Sequence, residues 1–287
     1  SRNIKLNIPL ISANMDTVTE STMAVTMARQ GGIGIIHRFL TINEQANQVL
    51  KVKRSGSVMI ENPYLVNQDE TISNALEIMD EKEVSGLLVV DSESKLVGIL
   101  TERDVLFESV DSTKSVKELM TKDVITSKPG TTMDEAKDIL KNNRIEKLPL
   151  IDDEKKIHGL FTTQDILNIE NYPIASQDGK GRPLVGAAVG VKGDFLERTE
   201  ALLEAGTDAI VVDIAHGHSE NAISTVKNIK KAFPDCELIA GNVATAQGAE
   251  DLIKAGVDAV KVGVGSGSIC ITRVITGSGV PQLTAVL

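Results

Sequence analysis

The feature that most constrains the fold is an alternation of strand and helix patterns at both ends of the sequence. One connection from a helix to the next strand, here called a join, occurs twice, almost residue for residue. Glu204–Ala209 (EAGTDA) and Lys254–Ala259 (KAGVDA) each place a glycine after a helical pattern and an alanine at the start of an apolar segment. Glycine suits the end of a helix because it adopts positive φ without steric cost. Repeated strand–helix units with apolar strands predict a parallel sheet that is covered by helices.

Apolar segments and helical patterns alternate along this part of the chain. The predicted strands are Ile8–Ser12, Ile33–His37, Leu184–Val189, Ala209–Asp213, Leu238–Ala240 and Ala259–Val262, the last four of them buried. The predicted helices are Glu20–Gln30, Thr41–Arg54, Phe195–Ala205, Asn221–Ala232 and Ala246–Ala255. An open doubly wound α/β sheet and a (β/α)8 TIM barrel both have this element order. The barrel is favoured, because polar candidate residues follow the carboxyl ends of several strands.

A second pattern interrupts the first and contains an internal repeat. Thr71–Met79 aligns with Thr132–Leu140, and Gly98–Asp104 aligns with Gly159–Asp165, both at an offset of 61 positions. Each copy predicts a helix, a pair of apolar strands and a second helix. One copy is too small to form a core alone, so we expect the two to pack together. The predicted domains are therefore a barrel in residues 1–60 and 171–287, and an inserted α+β module in residues 61–170.

Composition narrows the class of protein. A net charge of −10 disfavours nucleic acid or an anionic membrane surface as the main partner. No apolar run reaches the roughly 20 residues that span a bilayer. The chain has two cysteines, Cys236 and Cys270, and free thiols favour a cytoplasmic location. Cys236 follows a Pro-Asp turn and is predicted to be structural.

Cys270 is the strongest candidate for covalent chemistry. It ends the segment Lys261–Arg273 (KVGVGSGSICITR), in which a strand pattern leads into glycines at alternate positions. Such glycines let the backbone approach a ligand closely, and the carbonyl and N–H groups of the loop can hold an ion or a phosphate. A thiol at the end of this loop is predicted to be a nucleophile.

The internal repeat resembles two tandem CBS motifs, a pair known as a Bateman module. The Gly-x-x-Thr-x-x-Asp ending of each copy carries the resemblance. It implies that Thr101 and Asp104, with Thr162 and Asp165, reach the phosphate and ribose of an adenine or guanine nucleotide. An alternative stays open, in which each threonine caps a helix and each aspartate is a first-turn carboxylate favoured by the helix dipole.

The rest of the chain resembles the IMP dehydrogenase and GMP reductase family. Four ordered segments carry the resemblance, namely Pro9–Glu20, Val212–Ser219, Ala240–Thr245 and the glycine-rich Lys261–Arg273. The insertion of a Bateman module after the second strand–helix unit adds to it. The resemblance covers nearly the whole chain. It implies a barrel whose carboxyl-terminal face binds a purine nucleotide beside a nicotinamide.

The resemblance also assigns roles to individual residues. Cys270 is the nucleophile that attacks C2 of IMP; hydride leaves to NAD, and water releases XMP from the covalent thioimidate, a step of guanine nucleotide (GMP) biosynthesis. Thr272 is a catalytic hydroxyl, and Ser268 and Ser12 bind the substrate. The expected NAD-binding residues are Asp213, Asn242, Gly263, Val264 and Gly265. The expected ligands of a potassium ion are the backbone carbonyls of Gly265, Gly267 and Cys270.

The sequence departs from the family in two places. Ile271 stands where the family usually has threonine. The predicted strands are two short of eight, so we expect an incomplete barrel without the mobile flap, and we assign activity to the intact enzyme type. The family implies a homotetramer that can pair into octamers. Two alternatives stay open: a GMP reductase that uses NADPH, and a non-catalytic protein that senses nucleotides.

Overall fold

The chain divides into two units in a computed structural model that describes residues 3–56, 59–109 and 112–287. One unit combines Ser1–Ser57 with Tyr172–Leu287, and the other is Val58–Asn171. The second unit overlaps the segment 61–170 that the internal repeat singled out, and its identity as a tandem CBS module stays a prediction. None of the helices described is long and apolar enough to cross a membrane.

Strands and helices alternate along most of the first unit, whereas the second unit also contains strands that follow one another directly. The strands are β1 (Ile11–Ser12), β2 (Ile33–Ile36), β3 (Leu65–Asn67), β4 (Gly86–Val90), β5 (Leu96–Thr101), β6 (Lys147–Ile151), β7 (Ile157–Thr162), β8 (Val185–Val189), β9 (Ala209–Asp213), β10 (Leu238–Val243) and β11 (Ala259–Val262). The helices are α1 (Ser21–Arg29), α2 (Ile42–Arg54), α3 (Ile72–Lys82), α4 (Glu102–Val105), α5 (Val116–Leu119), α6 (Met133–Asn143), α7 (Thr163–Asn171), α8 (Phe195–Glu204), α9 (Glu220–Ala232), α10 (Ala246–Ala255), α11 (Thr272–Thr276) and α12 (Gln282–Val286).

The first unit is an α/β structure built on one parallel sheet. Its strands lie in the order β1-β2-β8-β9-β10-β11, and every neighbouring pair is parallel. Apart from the inserted unit, the spatial order is the order of the chain, as in a sheet that winds in one direction around a barrel. The doubly wound alternative would reverse its strand order at a switch point, and no reversal occurs within the described strands.

Both faces of this sheet pack against apolar groups. On β8, Val185, Ala187 and Val189 join the large cluster that contains residues of α1, α2 and α8–α10. Ala188 faces the other way, into a smaller cluster with Ile33 of β2. Because alternate residues of a strand point to opposite faces, burial on both sides explains the near-continuous apolar sequence of β8.

The two copied joins of the sequence have the same structural role. Asp208 follows α8, and its carboxylate accepts a hydrogen bond of 2.8 Å from Val185 N of the neighbouring strand. Asp258 follows α10 and accepts one of 2.9 Å from Leu238 N. Each carboxylate also forms an ion pair of 2.6 Å with a lysine, Asp208 with Lys53 of α2 and Asp258 with Lys230 of α9. The copied aspartates therefore tie each helix end to the start of the adjacent strand.

The second unit contains the predicted elements of both repeats. The first copy supplies α3, β4, β5 and α4, and the second supplies α6, β6, β7 and α7. The strands of each pair are antiparallel, and β3 adds to the first pair in parallel. Buried side chains of both copies share a cluster that includes Leu88, Ile99 and Leu160. The expectation that the two copies pack together is therefore confirmed.

Several boundaries or burial patterns differ from expectation, and β10 continues three residues past the predicted end at Ala240. The first strand was expected at Ile8–Ser12, but β1 has only two residues, and the side chains of Leu10 and Ile11 are 57% exposed. Thr41 is the N-cap of α2 rather than its first residue, because its backbone N–H donates to the Glu44 carboxylate. The strand expected to be buried at Ala259–Val262 is half-buried, because β11 is the edge of the sheet within the described residues.

Candidate active site

Polar side chains meet at the carboxyl ends of the parallel strands. Asp213 is the last residue of β9, and Lys261 lies on β11, two strands away. The ammonium group of Lys261 lies 2.9 Å from Asp213 Oδ1 and 3.1 Å from Asn14 Oδ1, in the loop after β1. Asn14 is 8% exposed. This network fixes the predicted NAD-binding carboxylate and joins it to the first strand of the sheet.

The sequence reasoning missed Lys261 and Asn14. A lysine inside the apolar run AVKV was the available signal for Lys261, since a charged group in a buried strand needs a partner. No comparable signal marks Asn14, which lies 247 positions from Lys261 along the chain.

Asn242 and Gly263 hold the ends of β10 and β11 together. The side-chain amide of Asn242 donates a hydrogen bond of 2.9 Å to the carbonyl of Gly263, whose own N–H donates to Val243 O at 2.8 Å. Gly263 has a φ of +126°, a conformation that a side chain rarely adopts, and a Cβ there would collide with Gln282. Gly263 therefore lies near the start of the glycine-rich loop, and the side chain of Asn242, on β10, holds it there.

Cys270 lies directly before the short helix α11 and is partly buried. Its sulfur lies 3.3 Å from Thr272 Oγ1. Hydrogen bonds from the Thr272 side chain and backbone lower the pKa of the Cys270 thiol below its ordinary value, and the positive charge of Arg273 lowers it further. A thiol with a lowered pKa is more often ionised near neutral pH, and the thiolate is the nucleophile.

Cys236 is the opposite kind of thiol. It is 6% exposed, and burial raises its pKa to about 11. The prediction that Cys236 is structural fits this burial.

Arg273 folds back over the glycine-rich loop. Its Nη1 atom donates to the carbonyls of Gly265 at 2.6 Å and Gly267 at 2.9 Å. Two carbonyl oxygens thus converge on one positive charge, and oxygen atoms are also the ligands that a hard cation such as potassium prefers. These oxygens belong to two of the three predicted potassium ligands, and the guanidinium is the cation that contacts them.

The predicted substrate serines lie in different settings. Ser12 ends β1, and its hydroxyl oxygen lies 3.0 Å from the hydroxyl oxygen of Thr19, which is fully buried. The same Thr19 hydroxyl donates to Ala13 O at 2.5 Å. Ser268 is exposed, two residues before the thiol. Thr19, which the sequence reasoning did not identify, therefore sets the conformation of the loop after β1.

Asp16, Glu20 and His37 form a cluster beside this loop. Their candidate ligand atoms lie within 4.8 Å of one another, and the His37 ring is 1% exposed. His37 Nδ1 accepts a hydrogen bond from Phe39 N at 3.2 Å. In a neutral ring the proton is then on Nε2, the atom that faces both carboxylates, so that atom has no lone pair for a metal. The arrangement suits a histidine N–H directed toward carboxylates rather than a metal centre.

The second unit contains a cavity of about 440 Å³. Both repeats line it, with Thr101, Asp104 and Ser85 from the first copy and Arg144 and Lys147 from the second. Burial lowers the pKa of Lys147, and its ammonium group donates to Ser85 Oγ at 3.0 Å. Four carboxylates line the same cavity, so it offers cations that suit a phosphate group and acceptors that suit hydroxyl groups.

The Thr-Asp pairs of the two repeats act as helix caps. Asp104 accepts hydrogen bonds of 2.8 Å from both the backbone N–H and the hydroxyl of Thr101. Asp165 accepts from the Thr162 hydroxyl and is 6% exposed, and burial raises its pKa to about 6. Thr101 and Asp104 line the cavity, whereas Thr162 and Asp165 are not among its lining residues. The capping alternative thus describes the contacts of both pairs.

Comparison with known proteins identifies the family. The IMP dehydrogenase / GMP reductase domain matches residues 1–287. The chain is 76% identical over its full length to the inosine-5'-monophosphate dehydrogenase of Nitrosopumilus maritimus and covers 60% of that protein. It is 51% identical over 289 aligned residues to the enzyme of the same name from Bacillus subtilis, of which it covers 59%.

Solved structures agree with this result. A GMP reductase from Trypanosoma brucei in complex with guanosine 5'-monophosphate is 44% identical, with a TM-score of 0.89. The match covers all of this chain and 62% of that one. A structure of GMP reductase from the same organism in complex with guanosine 5'-triphosphate has the same identity and TM-score, with 70% of its chain covered. The chain spans about 60% of the length of the curated relatives it matches. With its domain match over every residue and relatives of more than half identical sequence, this chain belongs to the IMP dehydrogenase / GMP reductase family.

Proposed function

We propose that the full-length protein oxidises IMP to XMP with NAD, the step that commits IMP to guanine nucleotides. The observation that carries this proposal is Cys270, a partly buried thiol with a lowered pKa at the end of a glycine-rich loop. The curated relatives at 76% and 51% identity are both named inosine-5'-monophosphate dehydrogenase. The barrel of eight strands belongs to the same proposal.

Cys270 is the nucleophile in the proposed reaction. Its thiolate forms a bond to C2 of IMP, and a hydride ion leaves that carbon, so that the purine is oxidised by two electrons and remains bound through sulfur. Water then adds to C2, and the C–S bond breaks with its electron pair returning to sulfur, which releases XMP. A thiolate suits both halves of this reaction because it is a strong nucleophile near neutral pH and a good leaving group.

Thr272 orients and stabilises the thiolate. The thiol donates to this hydroxyl at 3.3 Å. Once the sulfur is ionised, the hydroxyl would donate to it instead, which favours ionisation. Ser268, two residues before the thiol, would bind the phosphate of IMP, and Ser12, held by Thr19, would contact the nucleotide from the loop after β1.

The strand ends would hold the nicotinamide cofactor. NAD, when bound, accepts the hydride. Asp213, fixed by Lys261, would accept hydrogen bonds from a ribose, and Asn242 would line the same pocket. The backbone of Gly263, Val264 and Gly265 would approach the dinucleotide, which the positive φ of Gly263 and Gly265 permits.

The carbonyls of Gly265, Gly267 and Cys270 would hold a potassium ion. The convergence of two of them on the charged Arg273 supports this, since oxygen atoms are the preferred ligands of hard cations. The ion would fix the loop that carries Cys270. We also propose, from the membership of the family, that the full-length protein forms a homotetramer that can pair into octamers.

GMP reductase is the second candidate, because the solved structures at 44% identity and a TM-score of 0.89 are GMP reductases. The same cysteine would then attack GMP, with release of ammonia and consumption of NADPH. Turnover assays of the full-length protein separate the candidates. NADH that appears with IMP and NAD supports the dehydrogenase; NADPH consumption and ammonia release with GMP support the reductase.

The second unit is proposed to bind an adenine or guanine nucleotide as a tandem CBS module. The cavity lined by Thr101, Asp104 and Lys147 supports this proposal. We expect calorimetry on the full-length protein to detect ATP or GTP binding that Lys147→Glu weakens while IMP turnover without effector is retained. Unchanged nucleotide affinity in that variant would exclude the cavity as the site.

A further inference from the structure

We propose that Arg273 is a positioning residue for Cys270: its guanidinium is a tethered cation for the carbonyls of Gly265 and Gly267, and a monovalent cation competes with it for the same oxygens. The competition rests on the potassium site of the proposed function, whereas the positioning role does not. The roles predicted from the sequence leave Arg273 without a function.

One carbonyl connects Arg273 to the nucleophile. Gly267 O accepts a hydrogen bond of 2.9 Å from Arg273 Nη1 and another of 3.2 Å from the backbone N–H of Cys270. A carbonyl oxygen has two lone pairs, so both donors can be satisfied at once. The same nitrogen of Arg273 holds Gly265 O at 2.6 Å. Loss of the guanidinium would therefore release the turn that presents the thiol.

The stem of Arg273 lies in a space that two glycines provide. A Cβ on Gly279 would lie 3.0 Å from the Arg273 Cβ, and one on Gly265 would lie 3.4 Å from it. Gly265 also has a φ of +65°. Although Arg273 is exposed overall, its stem is enclosed on these sides, which favours the conformation that reaches both carbonyls.

Competition follows from the charges. A potassium ion bound to the same oxygens would lie within a few ångströms of the guanidinium, and two like charges at that distance repel each other. The ion would therefore displace Arg273, and Arg273 would hold the loop when the ion is scarce.

The test compares wild type, Arg273→Gln and Arg273→Lys in the full-length protein. The rate of Cys270 alkylation by iodoacetamide is measured against pH in choline chloride and in potassium chloride of equal ionic strength, with Cys236 as the control thiol in the same molecule. In choline we expect Arg273→Gln to react about threefold to tenfold more slowly at neutral pH, because the released turn no longer holds the sulfur in one position. Potassium should restore the wild-type rate, and Arg273→Lys should lie between.

Thallium(I), a probe for potassium, gives a second readout by NMR. We expect the Kd of the protein for thallium(I) to fall by about fivefold or more in Arg273→Gln, because the competing guanidinium group has been removed. Wild-type alkylation of Arg273→Gln in choline would overturn the positioning role. Equal thallium affinity in the two proteins would overturn the competition and leave the potassium site intact. If neither protein bound thallium, the potassium site itself would fail, and the competition with it.

Discussion

Thr272 Oγ1 lies 3.3 Å from the sulfur of Cys270, and this contact lowers the pKa of a thiol that the fold leaves partly accessible. The second cysteine, Cys236, is buried, with its pKa raised to about 11. The fold therefore shifts the pKa values of the two thiols in opposite directions. Because both thiols are in one chain, Cys236 provides an internal control when the reactivity of Cys270 is measured.

Replacement of Thr272 with valine should weaken Cys270 as a nucleophile. The variant loses the hydroxyl that stabilises the thiolate, so the pKa of Cys270 should rise and alkylation at neutral pH should slow by roughly threefold to tenfold. Thr272→Ser keeps the hydroxyl and is the matched control. Iodoacetamide rates measured against pH provide the readout. An unchanged inflection in Thr272→Val would mean that the hydroxyl does not set the ionisation of the thiol.

Replacement of Cys270 with alanine should abolish turnover while IMP still binds. Without sulfur there is no covalent intermediate, and the loss of kcat should be about a thousandfold or more. Cys236→Ala is the control and should retain activity, because that thiol is buried in the core. Steady-state kinetics with calorimetric IMP binding check both expectations. Substantial turnover by Cys270→Ala would remove the covalent route.

Loss of the carboxylate at one copied join should destabilise the first unit. Asp258 is 5% exposed and bonded to both Lys230 and a strand N–H, so Asp258→Ala leaves Lys230 without its carboxylate and the N–H without its acceptor. We expect a loss of about 3 kcal/mol in the free energy of unfolding. Lys254→Ala, which breaks an exposed pair with Glu250, should change it by less than about 0.5 kcal/mol. Urea unfolding measures both, and equal effects would contradict the structural role of the join.

The stability of the second unit should fall as pH rises from about 4 to about 6. Burial raises the pKa of Asp165 from 3.8 to about 6, so in this range the native state binds more protons than the unfolded state. Stabilisation is complete below pH 4 and is lost as Asp165 ionises. Asp165→Asn should flatten this dependence, whereas Asp153→Asn, at an exposed position, should preserve it. Hydrogen exchange of β7 and α7 in the full-length protein measures the change. If the pH dependence persisted in Asp165→Asn, a group other than Asp165 would be its cause.

Features that depend on residues close together in the sequence could be predicted from the sequence. The copied joins predicted helix ends and strand starts, and the apolar segments predicted β8, β9 and β11 within a residue at each end. Cys270 was identified from the glycines that precede it, whereas Asp213 and Asn242 were identified only through the resemblance to the family. Local pattern is sufficient for these features because periodicity and glycine geometry act over a few residues.

Contacts between segments that are far apart in the sequence could not be predicted in this way. Lys261 meets Asn14 across 247 positions, and only the arrangement of the whole sheet brings them together. Arg273 folds back on Gly265, a contact that depends on the turn between them and on the absence of a Cβ at Gly279. The short β1 and the exposed Leu10 depend likewise on what lies beside them in space rather than on their own sequence.

Covalent labelling of Cys270 by a substrate-shaped electrophile probes the proposed chemistry with the fewest intermediate assumptions. The full-length protein is incubated with 6-chloropurine riboside 5'-monophosphate, with and without excess IMP, and digested for mass spectrometry. We predict one adduct on Cys270, none on Cys236, and protection by IMP. An unmodified Cys270, or labelling that IMP does not slow, would contradict a thiol held within reach of a bound purine nucleotide.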